Sequence, residues 1–494
     1  MTRKIFFVLL SFNALLFWGI GLTREVGREN PSLFSLLPAG FALFLTFLRF
    51  HPLFSLGYAL LLAFLLQIRN LTPLFSSLPK LFEEQIALVV LLYIILLGSL
   101  SGLWQSFGIA HAFGNYLGQK FIRSTISAKV VSYALGLLFF QGGTLSAVLT
   151  GTTVRPLADK VRVSHEELSY VVDSTSSPVA LLVPLNAWPY YIQSLLVIPT
   201  IPYFASLEDR LLFFYRAIPY FFYAILALVF TLVLVFDGFW LAGKRMQEAA
   251  RRSRTLGLLD SPSAKPLQIP LPLIENVGKT FDYPANLCVL FVVVLAGFFL
   301  TGQPFVILGF SASLLFTLFL LLGRTRPRSL AKALIQGIRG NSKAGFILIM
   351  AILLGKLTAQ LGSAEFLLKH IPENFPLVFL PMGLFLTAAI VSLATGTSWG
   401  TFAILLPAAL PLVYSLALPK ARDIESFFLL SFAAILNGSL FGDHTSPVSD
   451  TTILSSLATG ADLNDHVRTQ WTSAMRAAFL SLVLYTAFAW YFVY

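Results

Sequence analysis

Apolar runs of about twenty residues, separated by short polar loops, recur along the whole chain. They cover roughly 5–22, 33–48, 52–67, Ile86 to Trp104, Val130 to Thr150, Ser169 to Thr200 and Leu212 to Leu241. After a hydrophilic stretch they resume at 285–301, 304–322, 344–361, 376–395, 399–418, 425–441 and 472–492. About twenty apolar residues of helix match the hydrocarbon thickness of a bilayer. The runs are continuous rather than alternating, which excludes a transmembrane barrel. The pattern predicts an all-α polytopic membrane protein with about 11–13 membrane segments.

Several runs are interrupted. Gln141-Gly142-Gly143-Thr144 breaks one, and Asp173-Ser174-Thr175-Ser176-Ser177-Pro178 breaks the next, with Pro184 and Pro189 beyond. Late in the chain come Thr395-Gly396-Thr397-Ser398 and then Asp443-His444-Thr445-Ser446-Pro447. The order repeats. Leu96-Leu97-Gly98 is echoed by Leu353-Leu354-Gly355, and the two Gly/Thr breaks and the two Asp-to-Pro breaks follow in the same sequence. This predicts two repeats, about 86–200 and 344–460, with broken helices and re-entrant hairpins. Backbone freed by such breaks is tolerated at membrane depth only inside protein or along a cavity.

Charge adds orientation. The chain carries 12% charged residues, about half the fraction usual in soluble domains. Its net charge of +11 is read as loop charge that sets topology, and no nucleic acid is expected. Met1-Thr2-Arg3-Lys4 before the first run makes that run a spanning helix with a cytoplasmic N-terminus. The loop 243–283 holds Lys244, Arg245, Arg251, Arg252, Arg254, Lys265 and Lys279; it reads as a cytoplasmic linker between halves. The divisions predicted are 1–85, 86–242 with a long helix at its end, 243–283, 284–343 with a basic loop, and 344–494. The span 344–361 leaves a basic loop and runs outward, whereas 86–104 ends near Lys120, Arg123 and Lys129 and runs inward. Opposed directions make the repeat inverted, as in many secondary transporters. Cys288 is the lone cysteine, so neither a disulfide framework nor a thiolate metal site is predicted.

The breaks carry the candidate chemistry. Asp443 and Asp450 stand seven apart around Pro447, and an intramembrane carboxylate is costly unless it does something. Burial favours its protonated form and a bound cation its ionised form, so a proton and Na+ would compete for one group. Asp443 and Asp450 are the candidate Na+ ligands. Hydroxyls of Thr445, Ser446, Thr451, Thr395, Thr397, Ser398 and Thr401 supply hard oxygen ligands, and Asp173, Ser174, Thr175 and Ser176 form the first-half counterpart. His444 is placed to tune the site or carry a proton. Lys356, inside an apolar run, is predicted to pair with Asp443 or Asp450. For the hydroxyls the plain alternative is helix packing; for Asp173 it is a helix cap.

Phe441-Gly442-Asp443-His444-Thr445-Ser446-Pro447-Val448-Ser449-Asp450-Thr451-Thr452 resembles the C-terminal signature of the NhaC-type sodium/proton antiporters, in the ion transporter superfamily. Ala394 to Thr401, Asp465-His466-Val467-Arg468-Thr469-Gln470, Arg155-Pro156 with Asp159, and Tyr170 to Thr175 fit the same family. The resemblance spans roughly 86 to 480. It implies inverted repeats, broken helices and cation-coupled transport. Three positions depart from it: Gly142 and Gly143 stand where many relatives carry two aspartates, and Lys356 where a small residue is usual.

The reading is therefore a secondary transporter and not an enzyme, exchanging Na+ for a proton by alternating access. The alternative is an organic-anion or amino-acid transporter of the same fold, with sodium coupling weakened at Gly142, Gly143 and Lys356. An intramembrane hydrolase is disfavoured, because Gly442-Asp443 lacks a second aspartate in a catalytic context. The expected location is the inner cell membrane, and the expected partners are the bilayer, an inorganic cation and a proton, or a small organic anion or amino acid. A homodimer stays open, and no cofactor is expected besides bound Na+.

Overall fold

The computed structural model describes residues 32–47, 50, 52–67, 85–140, 142–198, 201–264, 275–301, 305–363, 366, 369 and 376–494. The predicted span 5–22 and the side chain of Lys356, with its proposed pairing, lie outside the described residues. All regular elements among the described residues are helices. Those that build the site are α1 (Gln85–Ser106), α2 (Thr125–Leu138), α3 (Gly143–Lys160), α4 (His165–Ser174), α5 (Ser177–Leu182), α6 (Leu207–Ala217) and α7 (Phe222–Val235). In the second half they are α8 (Lys244–Leu256), α9 (Pro327–Gln360), α10 (Leu380–Thr395), α11 (Ser398–Ala417), α12 (Ile424–Thr445), α13 (Asp450–Thr459) and α14 (Leu463–Val493). Among the described residues, Leu377–Thr395, α11, α12 and α14 are each long and apolar enough to cross a bilayer, and the bent pair of 207–220 and 222–235 is so when taken together.

The most enclosed crossing is α12, with 78% of its apolar window buried against 33% for α14. It is the helix that delivers Asp443. On one side α12 lies against α10, on the others against α11 and α14. Gly438 and Gly442 make the first contact close: a Cβ on either would strike the backbone carbonyls of Phe385 and Ala389 on α10. Small residues four apart are how helices approach when lipid gives no hydrophobic drive between them. The strings Leu96-Leu97-Gly98 and Leu353-Leu354-Gly355 sit on α1 and α9, which pack along each other.

Three segments differ from the sequence expectation. The long helix predicted over Leu212 to Leu241 is bent by 47°. Pro219 lies within a 3-10 turn, Ile218–Tyr220, because proline gives up a backbone donor and clashes with the preceding turn. The predicted basic loop before 344 is helical instead: α9 starts at Pro327 and runs unbroken through 343 to Gln360. Proline is preorganised for a first helical position, and the Ala, Leu, Lys and Arg that follow favour helix. The linker 243–283 also carries a helix, α8, with Met246, Ala249, Ala250 and Ser253 buried.

Helix α8 is tied to α4 by ion pairs. Arg252 reaches both oxygens of Glu166 at 2.8 and 2.9 Å. Arg254 lies 3.1 Å from Glu167 and 2.7 Å from Asp237. Fully buried Lys129 joins from α2, at 2.5 Å from Asp237 and 3.4 Å from Glu167. At the start of α4, His165 Nδ1 stands 2.8 Å from Asp260 and Nε2 3.2 Å from Asp159. With a carboxylate at each nitrogen, the ring carries both protons. Burial opposes the charge, but the hydrogen bonds and charges of Asp159 and Asp260 outweigh it and push His165 up to about 9.

Two outcomes follow from this packing. Gly442→Val should cost about 1–3 kcal/mol of stability through overpacking, read as a lowered Tm in detergent, whereas Gly383→Ala, with open space at its Cβ, should be silent. The charged His165 should hold the 257–264 segment fully below about pH 6.5 and progressively release it as pH rises through about 9, since its folded value lies above 6.5. Protection factors at 257–264, corrected for the intrinsic rise of amide exchange with pH, should fall across that window and show no such fall in His165→Gln; equal pH dependence of protection in both proteins would contradict the ion-pair role.

Candidate functional site

Four helix interruptions meet. The first half breaks between α2 and α3 and again at Thr175-Ser176, and the second half breaks at Gly396-Thr397 and at 446–449. Gly143, opening α3, stands where a Cβ would be 2.6 Å from Ser177 Oγ and 3.1 Å from Thr451 Cγ2. The chain turns from α10 into α11 at Gly396, with φ of 66° and a Cβ position 2.6 Å from the Val448 carbonyl. Only glycine takes that left-handed conformation there without strain. Helix α13, which follows the second Asp break, packs on α3 and α4 of the first half. The halves thus interlock at their breaks.

Asp443 sits in the last turn of α12 and is buried. Each of its oxygens accepts one hydroxyl: Oδ2 from Ser398 at 2.7 Å and Oδ1 from Ser449 at 2.7 Å. Ser398 is the first residue of α11, whose preceding Thr397 accepts from the Gly400 amide, so the positive end of that helix dipole lies beside the carboxylate. Ser449 Oγ is 3.0 Å from Thr451 Oγ1. Asp450, the first residue of α13, is exposed. Among the described residues, neither Asp443 nor Asp450 forms an ion pair. The groups given to the Asp443 carboxylate are hydroxyls, oxygen donors of the kind a hard cation takes.

Asp173, in the last turn of α4, is buried and differently served. It accepts from Ser455 at 3.2 Å, Thr452 at 3.4 Å, His466 Nε2 at 3.3 Å and Gln470 Nε2 at 3.3 Å. His444 Nε2 lies 3.8 Å away. Its donors come from α13 and α14, and the N-cap of the helix that follows it is Ser176, so Asp173 is not that helix's cap. The imidazole of His444 bridges the halves: Nε2 is 3.1 Å from Ser174 Oγ, and Nδ1 is 2.8 Å from Tyr223 Oη. The bend at Pro219 aims α7 so that Tyr223 arrives there, and Asn437 of α12 accepts from the Ala224 amide at 3.0 Å, fixing the first turn after the bend. Gln470 also donates to the His444 carbonyl.

The sequence candidates therefore fall into groups. Asp443, Ser398 and Thr451 gather with Ser449; Asp173, Ser174 and His444 gather with His466 and Gln470. The other hydroxyls donate to main-chain carbonyls: Thr175 to Val171, Ser176 to Asp173, Thr395 to Val391, Thr401 to Thr397, Thr445 to Phe441 and Ser446 to Leu393. Thr397 acts as the helix cap. Tyr223 was not a candidate, and Ser449, Thr452, His466 and Gln470 entered only through the family resemblance. His466 and Gln470 are four apart on a helix and so share a face, a signal that was readable; Tyr223, in an apolar run, gave none.

Interrupted helices from two halves meeting around buried carboxylates, in a multi-pass membrane protein, define a secondary transporter. The profile of the Na+/H+ antiporter family matches residues 204–490, and the chain belongs to that family. An uncharacterised protein of Haemophilus influenzae is 29% identical over 404 residues, covering 79% of this chain and 76% of its own length. The malate-2H(+)/Na(+)-lactate antiporter of Bacillus subtilis is 30% identical over 160 residues, 32% of each chain. The solved structure of Neisseria gonorrhoeae MtrF, reported as illuminating a class of antimetabolite efflux pumps, matches with a TM-score of 0.52 and 14% identity over 85% of each chain. At that identity it supports the transporter fold alone.

Proposed function

We propose that this chain exchanges Na+ for a proton across the inner membrane, with the N-terminus and the 243–283 loop cytoplasmic. One observation carries the reading: Asp443 is a buried carboxylate held only by hydroxyls among the described residues, whereas Asp173 is met by two histidines and an amide. A carboxylate without a resident positive partner needs a proton or a cation whenever it is buried. Asp443 with Ser398, Ser449 and Thr451 binds the ion, and exposed Asp450 guides it in. Asp173 stays satisfied from within and keeps the halves in register. Alternating access then carries either the protonated or the sodium-loaded carboxylate across.

A second reading exchanges a small organic acid or amino acid at the same site. It is favoured by the Bacillus subtilis relative, whose name gives malate, protons, sodium and lactate. Lys356 would be the positive group for such a substrate.

Everted vesicles with an imposed pH gradient test both. Added Na+ should dissipate the gradient in the wild type and fail to do so in Asp443→Asn, while Ser449→Ala should raise the half-saturating Na+ by roughly tenfold, as about 1.4 kcal/mol of lost coordination would. No response to Na+, Li+ or K+ would overturn sodium/proton exchange; gradient-driven uptake of labelled lactate or malate would then establish the second reading.

A further inference from the structure

We propose that the corner where the 236–243 turn meets α14 binds the headgroups of anionic phospholipid. Two separate segments change there from apolar to basic at one height. Along α7 the apolar run ends with exposed Phe236 and then Trp240, 72% exposed, before Lys244 and Arg245 open α8. On the outward face of α14, exposed Arg468 precedes Trp471, 40% exposed, and then the apolar stretch that includes Phe479. The coincidence in height is fixed by contacts between the segments. Ser473 donates to the Leu241 carbonyl at 3.2 Å, and Arg476 donates to the Trp240 carbonyl.

Tryptophan gathers at the headgroup level because one end of its ring system is apolar and the other donates a hydrogen bond. Here Trp240 and Trp471 stand beside Lys244, Arg245, Arg468 and Arg476, all exposed. Lys244, Arg245 and Arg468 have no ion-pair partner among the described residues. Glu248 is the exposed acid of α8, one turn further on. The net surplus of cations beside aromatic side chains fits a phosphodiester carrying a full negative charge and disfavours a zwitterionic headgroup. The opposite, buried face of α8 is already committed to α4 through Arg252 and Arg254, so the outward basic residues are free for lipid.

The test uses the purified full-length protein in vesicles of phosphatidylcholine, with spin-labelled phosphatidylglycerol or spin-labelled phosphatidylcholine as probe. The wild type should restrict the anionic probe preferentially. Combined Lys244→Gln, Arg245→Gln and Arg468→Gln should reduce that preference, roughly fivefold per charge at this site. The charge-keeping set Lys244→Arg, Arg245→Lys and Arg468→Lys should retain it. An unchanged preference in the glutamine set, or an equal loss in the charge-keeping set, would overturn the proposal. Inorganic phosphate that competes fully with the labelled lipid would also overturn it, by showing a site for the free anion.

Discussion

A carboxylate in a low-dielectric interior must be protonated, paired or surrounded by donors, and the arrangement of this chain follows from meeting that demand twice in different ways. At Asp173 the compensation comes from the protein itself, because two imidazoles, an amide and two hydroxyls converge from α12, α13 and α14. At Asp443, among the described residues, Ser398 and Ser449 supply hydrogen bonds but no charge. A satisfied carboxylate ties two halves together. The one that meets only hydroxyls is, in the proposed function, the group that takes up a mobile ion.

The geometry that places the two acids so differently rests on the helix breaks. Asp443 ends α12 just before Pro447, and Asp450 starts a new helix beyond it, so seven residues separate groups that no longer share one helical face. The break at Gly396 brings the start of α11 to Asp443, and its left-handed backbone lies against Val448. The kink at Pro219 brings Tyr223 onto His444 from a third direction. His444 therefore links α4, α7 and α12 while sitting next to Asp443 in sequence. Other polar contacts also join the halves, among them Tyr191 donating to the Trp399 carbonyl and Arg216 paired with Glu425, but His444 is the one that lies between the two acids.

Much of this was legible in the sequence. The apolar runs gave the helical class, and Pro, Gly and Thr clusters marked the four breaks, because those residues disrupt helix for stated steric reasons. Asp443 and Ser398 were candidates from residue type alone. What could not be read was direction. Nothing in Leu212 to Leu241 except Pro219 signals a bend, and nothing signals that Tyr223 turns toward an imidazole 221 residues away. The hydroxyls of Thr175, Thr395, Thr401 and Thr445 look like ligands in sequence; in the structure they donate to carbonyls of their own helices. The run of basic residues before 344 looked like loop because charge was weighed above helix propensity, yet Pro327 and its successors form the first turns of α9.

The central claim is that Asp443, rather than Asp173, is the group open to an exchangeable cation. Sodium titration of the purified protein by calorimetry addresses it most directly. Saturable Na+ binding should be present in the wild type and in His466→Gln, which alters only the Asp173 cluster, and absent in Asp443→Asn. Undiminished Na+ binding in Asp443→Asn would contradict the account.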